Sequence, residues 1–314
     1  MTADANREGF RVLRTQPALI PMEFLWRWSF GLGLLALCFF IYAHLRQFLI
    51  LSGADELALR GQDPFAIAQA AASAIAQAMP LLLHTLAQVF GPAAALWITA
   101  SALGRGIITR IIVRRFATEY GLTIAPDAPR WAAFATLQFA RVLMLLVLVI
   151  GYLSGSLIAA LVTNGQDVFT AALIVFAALA ISGVLWSYVN WILSLAPIFL
   201  VRDALSPLDS VVAAIGFIRP NRSRLAAIAL WNGTLRGLAA TVISIAGVGA
   251  FALQLALPPL AATVLLVLET IAYLVISDIC LLARFAAYAS VAVRELVLAR
   301  GFPVSPDPSG TAAR

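Results

Sequence analysis

The sequence predicts an all-α, polytopic membrane protein with six transmembrane helices and short interfacial amphipathic helices. Three observations predict it. Of the 314 residues, 62% are hydrophobic and only 11% are charged, against roughly 45–50% and 25% in a soluble domain. Six apolar stretches reach the about 20 helical residues needed to cross a hydrocarbon layer of about 30 Å. The arginines gather in alternate connecting segments. Such a composition cannot coat a water-facing globule. It excludes a soluble enzyme, a disordered chain and a disulfide scaffold.

Residues 1–27 read as a charged leader carrying Arg7, Arg11, Arg14 and Arg27. The first span is expected at Trp28–Leu45; it lacks a small-residue cleavage site behind its apolar core, so it reads as an anchor rather than a cleaved signal. The next five are expected at Pro80–Leu103, Val142–Val162, Phe169–Phe199, Leu225–Leu255 and Ala261–Tyr288. The fourth and fifth exceed a single crossing and must tilt, kink or project. Residues 28–290 thus make one transmembrane domain, and 291–314 a tail.

Two connecting segments have structure of their own. Asp63-Pro64 offers a cap residue and a proline at the first helical position, ahead of the alanine-rich run to Met79. A short helix is expected there, running into the second span with a bend at Pro80. Ser206-Pro207-Leu208-Asp209 resembles a capping box with Asp in place of Glu. It precedes the apolar run to Ile218, and Pro220 is expected to close this helix along the membrane interface.

All 21 basic residues are arginine. Phosphate binding would use arginine's planar fork; compositional bias is the blander account, and the alanine richness favours it. Sixteen arginines fall in the leader, the second and fourth loops and the tail, whereas only Arg46 and Arg60 occupy the first loop. The positive-inside rule therefore places both termini in the cytoplasm. The net charge of +6 is what that rule produces, and no nucleic-acid partner is expected. Arg219, Arg222 and Arg224 are expected near headgroup phosphates, which makes membrane lipids the expected partners.

The stretch from Leu195 to Ala239 is the most distinctive. A span ends in Ala-Pro, a short charged loop and an amphipathic helix follow, and then come a basic turn and a new span. This layout resembles the integral-membrane domain of glycerophosphodiester phosphodiesterase-type proteins and the related YciC-like bacterial families. Arg202-Asp203 stands where that pattern has an acidic loop residue. The resemblance implies a multi-span helical protein of a bacterial inner membrane. It implies no activity, because no stretch is both polar and long enough to form the soluble, metal-dependent catalytic domain.

No constellation for catalysis is legible, and the chain reads as non-enzymatic. His44 and His84 sit in no metal-binding arrangement, Cys38 and Cys280 each lie in an apolar run, and no phosphate-binding or dinucleotide loop occurs. No metal or cofactor is expected. Gly151 and Gly155 form a GxxxG spacing, which packs helices internally or, alternatively, joins a second copy or another membrane protein.

The informative segment is the sixth span. Glu269, Tyr273, Ser277, Cys280 and Arg284 recur at spacings of four and three and share one face. Asp278 lies about 180° away from Glu269. Two carboxylates in hydrocarbon are costly, so each needs a partner or a wet cavity. Asn232 and Arg236 on the fifth span are the expected partners, with Arg236 meeting Glu269 or Asp278, and Arg141 a second candidate for Asp278. Three readings compete. A structural ion pair predicts direct arginine–carboxylate bonds in a packed interior. An ion or small-solute pathway predicts a wet pocket at Glu269. A lipid-binding or scaffolding protein predicts a lateral groove floored by arginine.

Overall fold

The computed structural model describes residues 2–46, 64–122, 124, 130–163, 168–253 and 259–301. Seven α-helices are described among them: α1 (Thr2–Thr15), α2 (Leu19–Arg46), α3 (Pro64–Glu119), α4 (Trp131–Thr163), α5 (Val168–Arg202), α6 (Pro207–Leu253) and α7 (Pro259–Ala299). All but α1 are long and apolar enough to cross a membrane, six in total. This is a multi-pass membrane protein. The expected cap at Asp63, the first-loop Arg60 and the tail beyond Gly301 lie outside the described residues, as do the side chains of His44 and Arg46.

The chain forms two compact units, whose boundaries fall inside α2 and α3. In the smaller, Trp26–Ala100, the Trp97 ring packs against Phe30 at 4.7 Å and Trp26 at 5.9 Å. α3 begins at Pro64, as the sequence predicts, and runs unbroken through Pro80 and Pro92.

In the larger unit, Met1–Leu25 with Ser101–Arg314, each spanning helix has two unlike stretches. Residues 143–162 of α4, 169–188 of α5, 230–248 of α6 and 260–276 of α7 present large apolar side chains outward, among them Leu153, Phe176, Ile245 and Val267. Those stretches suit lipid. The remainders pack on one another through buried faces, which include Leu195 and Phe199 of α5, Ala214 and Leu225 of α6, Ala286 and Tyr288 of α7, Ile112 and Phe116 of α3 and Phe134 of α4. A helix of 47 residues such as α6 is about 70 Å long at 1.5 Å per residue. Less than half of it fits across the hydrocarbon, and the rest packs beyond it.

Local interactions fix this packed end. The Schellman motif that stops α3 needs Gly121 at φ 67°, with Leu122 N–H donating to the Ala117 carbonyl at 2.8 Å. Arg202 at the end of α5 grips Asp203 through two bonds of 2.8 and 2.6 Å, donates to the Ala292 carbonyl of α7 at 2.6 Å, and lies over the Phe199 ring. Ser206 caps α6 as the sequence predicts, but the Asp209 carboxylate bonds the Ser206 hydroxyl rather than its backbone N–H. Ser206 Oγ accepts the Asp209 N–H at 3.2 Å and donates to the Asp209 carboxylate at 2.6 Å.

The helix it starts does not end at Pro220. α6 passes through the proline without interruption, so the separate interfacial helix, the basic turn and the new start at Leu225 are corrected to a single helix. The ring of Pro220 would crowd the carbonyl four residues earlier; there stands Gly216, and the Asn221 amide donates to the Phe217 carbonyl at 3.2 Å to secure the turn. Ser210, Ala214, Phe217 and Leu225 of this stretch are buried. The opposite side of the stretch, with Leu208, Val212, Arg219 and Arg222, is exposed.

The leader is also more ordered than its charge suggests. α1 is amphipathic, with Ala5, Val12 and Leu13 buried, and it packs on α7 and α6. Gly9 makes the crossing possible, because a Cβ there would collide with the Ala283 carbonyl oxygen of α7. In the same way, Gly155 lets α4 lie against Ala178 of α5, whereas Gly151 has open space around it. One glycine of the GxxxG spacing is therefore used inside the chain. Gly9→Ala is expected to push α1 from α7 and to cost about 1–3 kcal/mol of stability, as overpacking does. Thermal unfolding in detergent checks this, and an unchanged midpoint contradicts the close crossing.

Candidate functional site

α6 and α7 run antiparallel, and their polar groups set their register. Arg236 Nε donates to Ser277 Oγ at 3.0 Å. Farther into the apolar stretch, Glu269 Oε2 lies so near Gly247 that an added Cβ would stand 3.2 Å from it. Arg236 and Gly247 are separated by about 16 Å along α6. The expected Arg236–Glu269 pair is therefore not made, since each residue is level with a different turn of the neighbouring helix. Glu269 and Tyr273 make no hydrogen bond or ion pair among the described residues. Asp278 is buried where the packed stretch of α7 begins.

Asn232 and Arg141 make bonds to further residues. Asn232, only 1% exposed, turns its amide to Asn6 of α1 at 3.1 Å and to the Ile228 carbonyl at 3.0 Å, and so serves to seat α1. Arg141 donates to Gln138 at 3.1 Å within α4. Arg219 and Arg222 are exposed and Arg224 half-buried. They precede Leu230, the first large apolar side chain of the outward stretch 230–248, by about 9–16 Å along the helix. Of the predicted cluster, the structure joins Arg236 to Ser277 and sets Glu269 level with a different turn of α6. One buried ion pair was not expected from the sequence: Glu23 of α2, 1% exposed, faces Arg105 of α3 at 3.5 Å.

Arg284, a member of the predicted face, leads to a polar site. A groove of about 830 Å³ opens between α5, α6 and α7. Its outer lip is Gly183, Val184 and Tyr188 of the exposed apolar stretch of α5; deeper, it is lined by Asn190, Trp191, Ser194, Arg284 and Tyr288. Its position is the level at which outward apolar faces give way to the packed end. Tyr288 is 1% exposed, yet its hydroxyl makes no hydrogen bond, and neither does the buried Trp191 Nε1. The indole N–H stands beside that hydroxyl without meeting it in bonding geometry. Buried polar groups left without partners are uncommon in native proteins and call for an explanation.

The chemistry of the lining is one-sided. Arginine and tryptophan only donate. Ser187 and Ser194 spend their hydroxyl protons on the Gly183 and Asn190 carbonyls, at 2.8 and 2.5 Å, which leaves their oxygens as acceptors. The strong unspent groups are therefore donors next to a guanidinium, an arrangement that suits an anion with several oxygens.

The chain matches no family model, no curated protein and no solved structure. The site rests on its own geometry. Sequence reasoning missed Asn190, Trp191 and Tyr288. A signal for the first two was present in the run Trp186-Ser-Tyr-Val-Asn-Trp191, since tryptophan and tyrosine gather at membrane–water boundaries. Nothing in the sequence singled out Tyr288 among the small residues around it. Among the described residues no group of three His, Cys, Asp or Glu side chains could hold a metal, and Cys280 is free and buried.

The separation of Arg236 from Glu269 has a measurable consequence. In a double-mutant cycle of Arg236→Leu and Glu269→Gln, the two effects should add within about 0.5 kcal/mol, as distant sites do. Glu269→Gln alone should leave stability unchanged or raise it, because it removes a charge from the apolar stretch. A coupling of several times that size would mean that the two side chains do meet.

Proposed function

We propose that this protein is a non-enzymatic membrane protein that binds phospholipid in the lateral groove between α5, α6 and α7, as part of organising or handling membrane lipid. One observation carries the reading: the unspent donors of Trp191 and Tyr288 lie beside Arg284 in a groove whose lip is apolar and outward-facing. A phosphodiester would accept from these groups, while an acyl chain followed Val184 and Gly183 into the hydrocarbon. A water-soluble anion would have no use for that lip. The packed end is read as cytoplasmic, and the membrane as a bacterial inner membrane. In support, the arginines that the sequence assigns to the positive side include Arg11, Arg110, Arg115, Arg202 and Arg294, all from the packed end.

A second reading has one observation in its favour. Glu269 stands in the apolar stretch with no hydrogen bond or ion pair among the described residues, as a carboxylate on an ion or small-solute pathway would. Against it, the polar groove lies at Arg284, about 22 Å from Glu269 along α7, and Glu269 does not line it.

The reading is tested by extracting lipid from the purified protein and by native mass spectrometry. The wild type should retain phospholipid through washing in detergent, and Arg284→Gln should hold the phospholipid of this groove about ten times more weakly or worse, the loss of a charge-assisted contact. Tyr288→Phe should fall between them. Equal retention by all three would sink the reading. For the orientation, a lone cysteine at Ser206, in a chain with Cys38 and Cys280 replaced, should react with an impermeant maleimide only after cells are opened. Labelling of intact cells would reverse it.

A further inference from the structure

A second groove, of about 780 Å³, lies between α1 and α6. Asn6, Arg7, Phe10, Arg11 and Arg14 of α1 form one wall; Ala227, Trp231 and Leu235 of α6 form the other. Ala229, which lines the Arg284 groove, is two residues from Ala227 and so about 200° round the helix. α6 therefore separates two distinct sites at one level. Arg7, Arg11 and Arg14 recur at spacings of four and three, which puts them in one row over about 10 Å of helix. Arg11 shares Glu119 with Arg115, each at 3.1 Å. Arg7 and Arg14 are exposed and make no ion pair or hydrogen bond among the described residues.

The other wall continues into the membrane. From Trp231 and Leu235 the spacings of four and three lead on to Leu238, Val242 and Ile245, and all of these but the half-buried Leu235 are exposed. A basic row thus meets the start of an apolar track that runs the length of the spanning stretch. Each half has a recognisable complement, since guanidinium groups at a membrane surface attract anionic headgroups and an exposed apolar stripe accepts hydrocarbon. The row is also longer than a single phosphate can bridge.

We infer that the groove between α1 and α6 binds an anionic phospholipid carrying two phosphates, with its headgroup across Arg7, Arg11 and Arg14 and an acyl chain along Trp231, Leu235 and Leu238. The site shares its chemistry with the Arg284 groove but none of its residues. Because α1 supplies the whole basic wall and joins the spans by packing, a lipid bridging the two walls also holds α1 in place.

The test is retention of cardiolipin, phosphatidylglycerol and phosphatidylcholine by the purified full chain, followed by native mass spectrometry. Arg7→Gln/Arg14→Gln is the site variant; Arg219→Gln/Arg222→Gln removes the same charge from exposed positions outside both grooves. The wild type should hold cardiolipin in preference to phosphatidylglycerol, and phosphatidylcholine least. The site variant should hold cardiolipin about tenfold more weakly or worse, while the distant variant keeps it. Unchanged retention by the site variant overturns the inference, as does equal loss in the distant variant, which would mean general charge attraction. Phosphatidylglycerol bound as tightly as cardiolipin overturns the two-phosphate match. Glycerol bisphosphate without acyl chains should compete poorly; if it displaces cardiolipin at equal concentration, the apolar track plays no part. Loss of lipid from Arg284→Gln alone would leave this site untouched, so the two readings fail separately.

Discussion

Hydrophobic burial drives helices together only where the alternative is water. Lipid tails are as apolar as leucine, so helices that cross a membrane gain little by hiding apolar side chains from them. The larger unit of this protein follows that constraint closely. Its outward apolar stretches carry phenylalanine, leucine and valine in quantity, and its dense packing lies in the remaining stretches of α3, α5, α6 and α7. The long helices of the chain are explained by this. A span of about 20 residues would suffice for crossing, and the additional turns supply the water-driven core that holds the spans in place.

Polar contacts then determine which packing is adopted. Arg202 binds the backbone of α7 at Ala292, Asn232 binds Asn6, Arg236 binds Ser277, and Glu23 faces Arg105. Each joins two different helices, or a helix end to its neighbour. Buried polar pairs of this kind add little net stability, yet they penalise every register in which a partner is missing. The small residues of α7 work alongside them. Ala283, Ala286, Ala287, Ala289 and Ala292 are all buried, so neighbouring backbones come close enough for bonds to main-chain carbonyls.

The fold class and the six crossings were legible because they follow from length and hydropathy, which are local properties of the sequence. The cap at Ser206 was legible for the same reason. Pro220 misled, since the local rule treats proline as a terminator; what overrode it was the burial of residues on both sides of it, which only the tertiary structure contains. On the polar face of the sixth span, Arg284 does line a groove. The pairing of Arg236 with Glu269 is not made, because depth along a helix does not fix the register of its neighbour, and that register sets Glu269 beside Gly247. Tyr288 could not be found at all. Its importance comes from a hydroxyl without a partner, and partners are set by helices far away in the chain.

The crossing at Gly9 and Ala283 has a consequence for the order of events during synthesis. α1 emerges ahead of the six spans, whereas the helix it packs on, α7, emerges after the other five have been made. Until then its apolar face, with Ala5, Val12 and Leu13, lacks the larger part of its site, and only the contact with α6 is available. During that interval the nascent chain must keep this amphipathic segment at the bilayer surface or in the care of a chaperone. A ribosome that stops before α7 leaves behind spans that can insert but an N-terminal helix without most of its docking site, and quality control would have a clear mark by which to recognise the unfinished product.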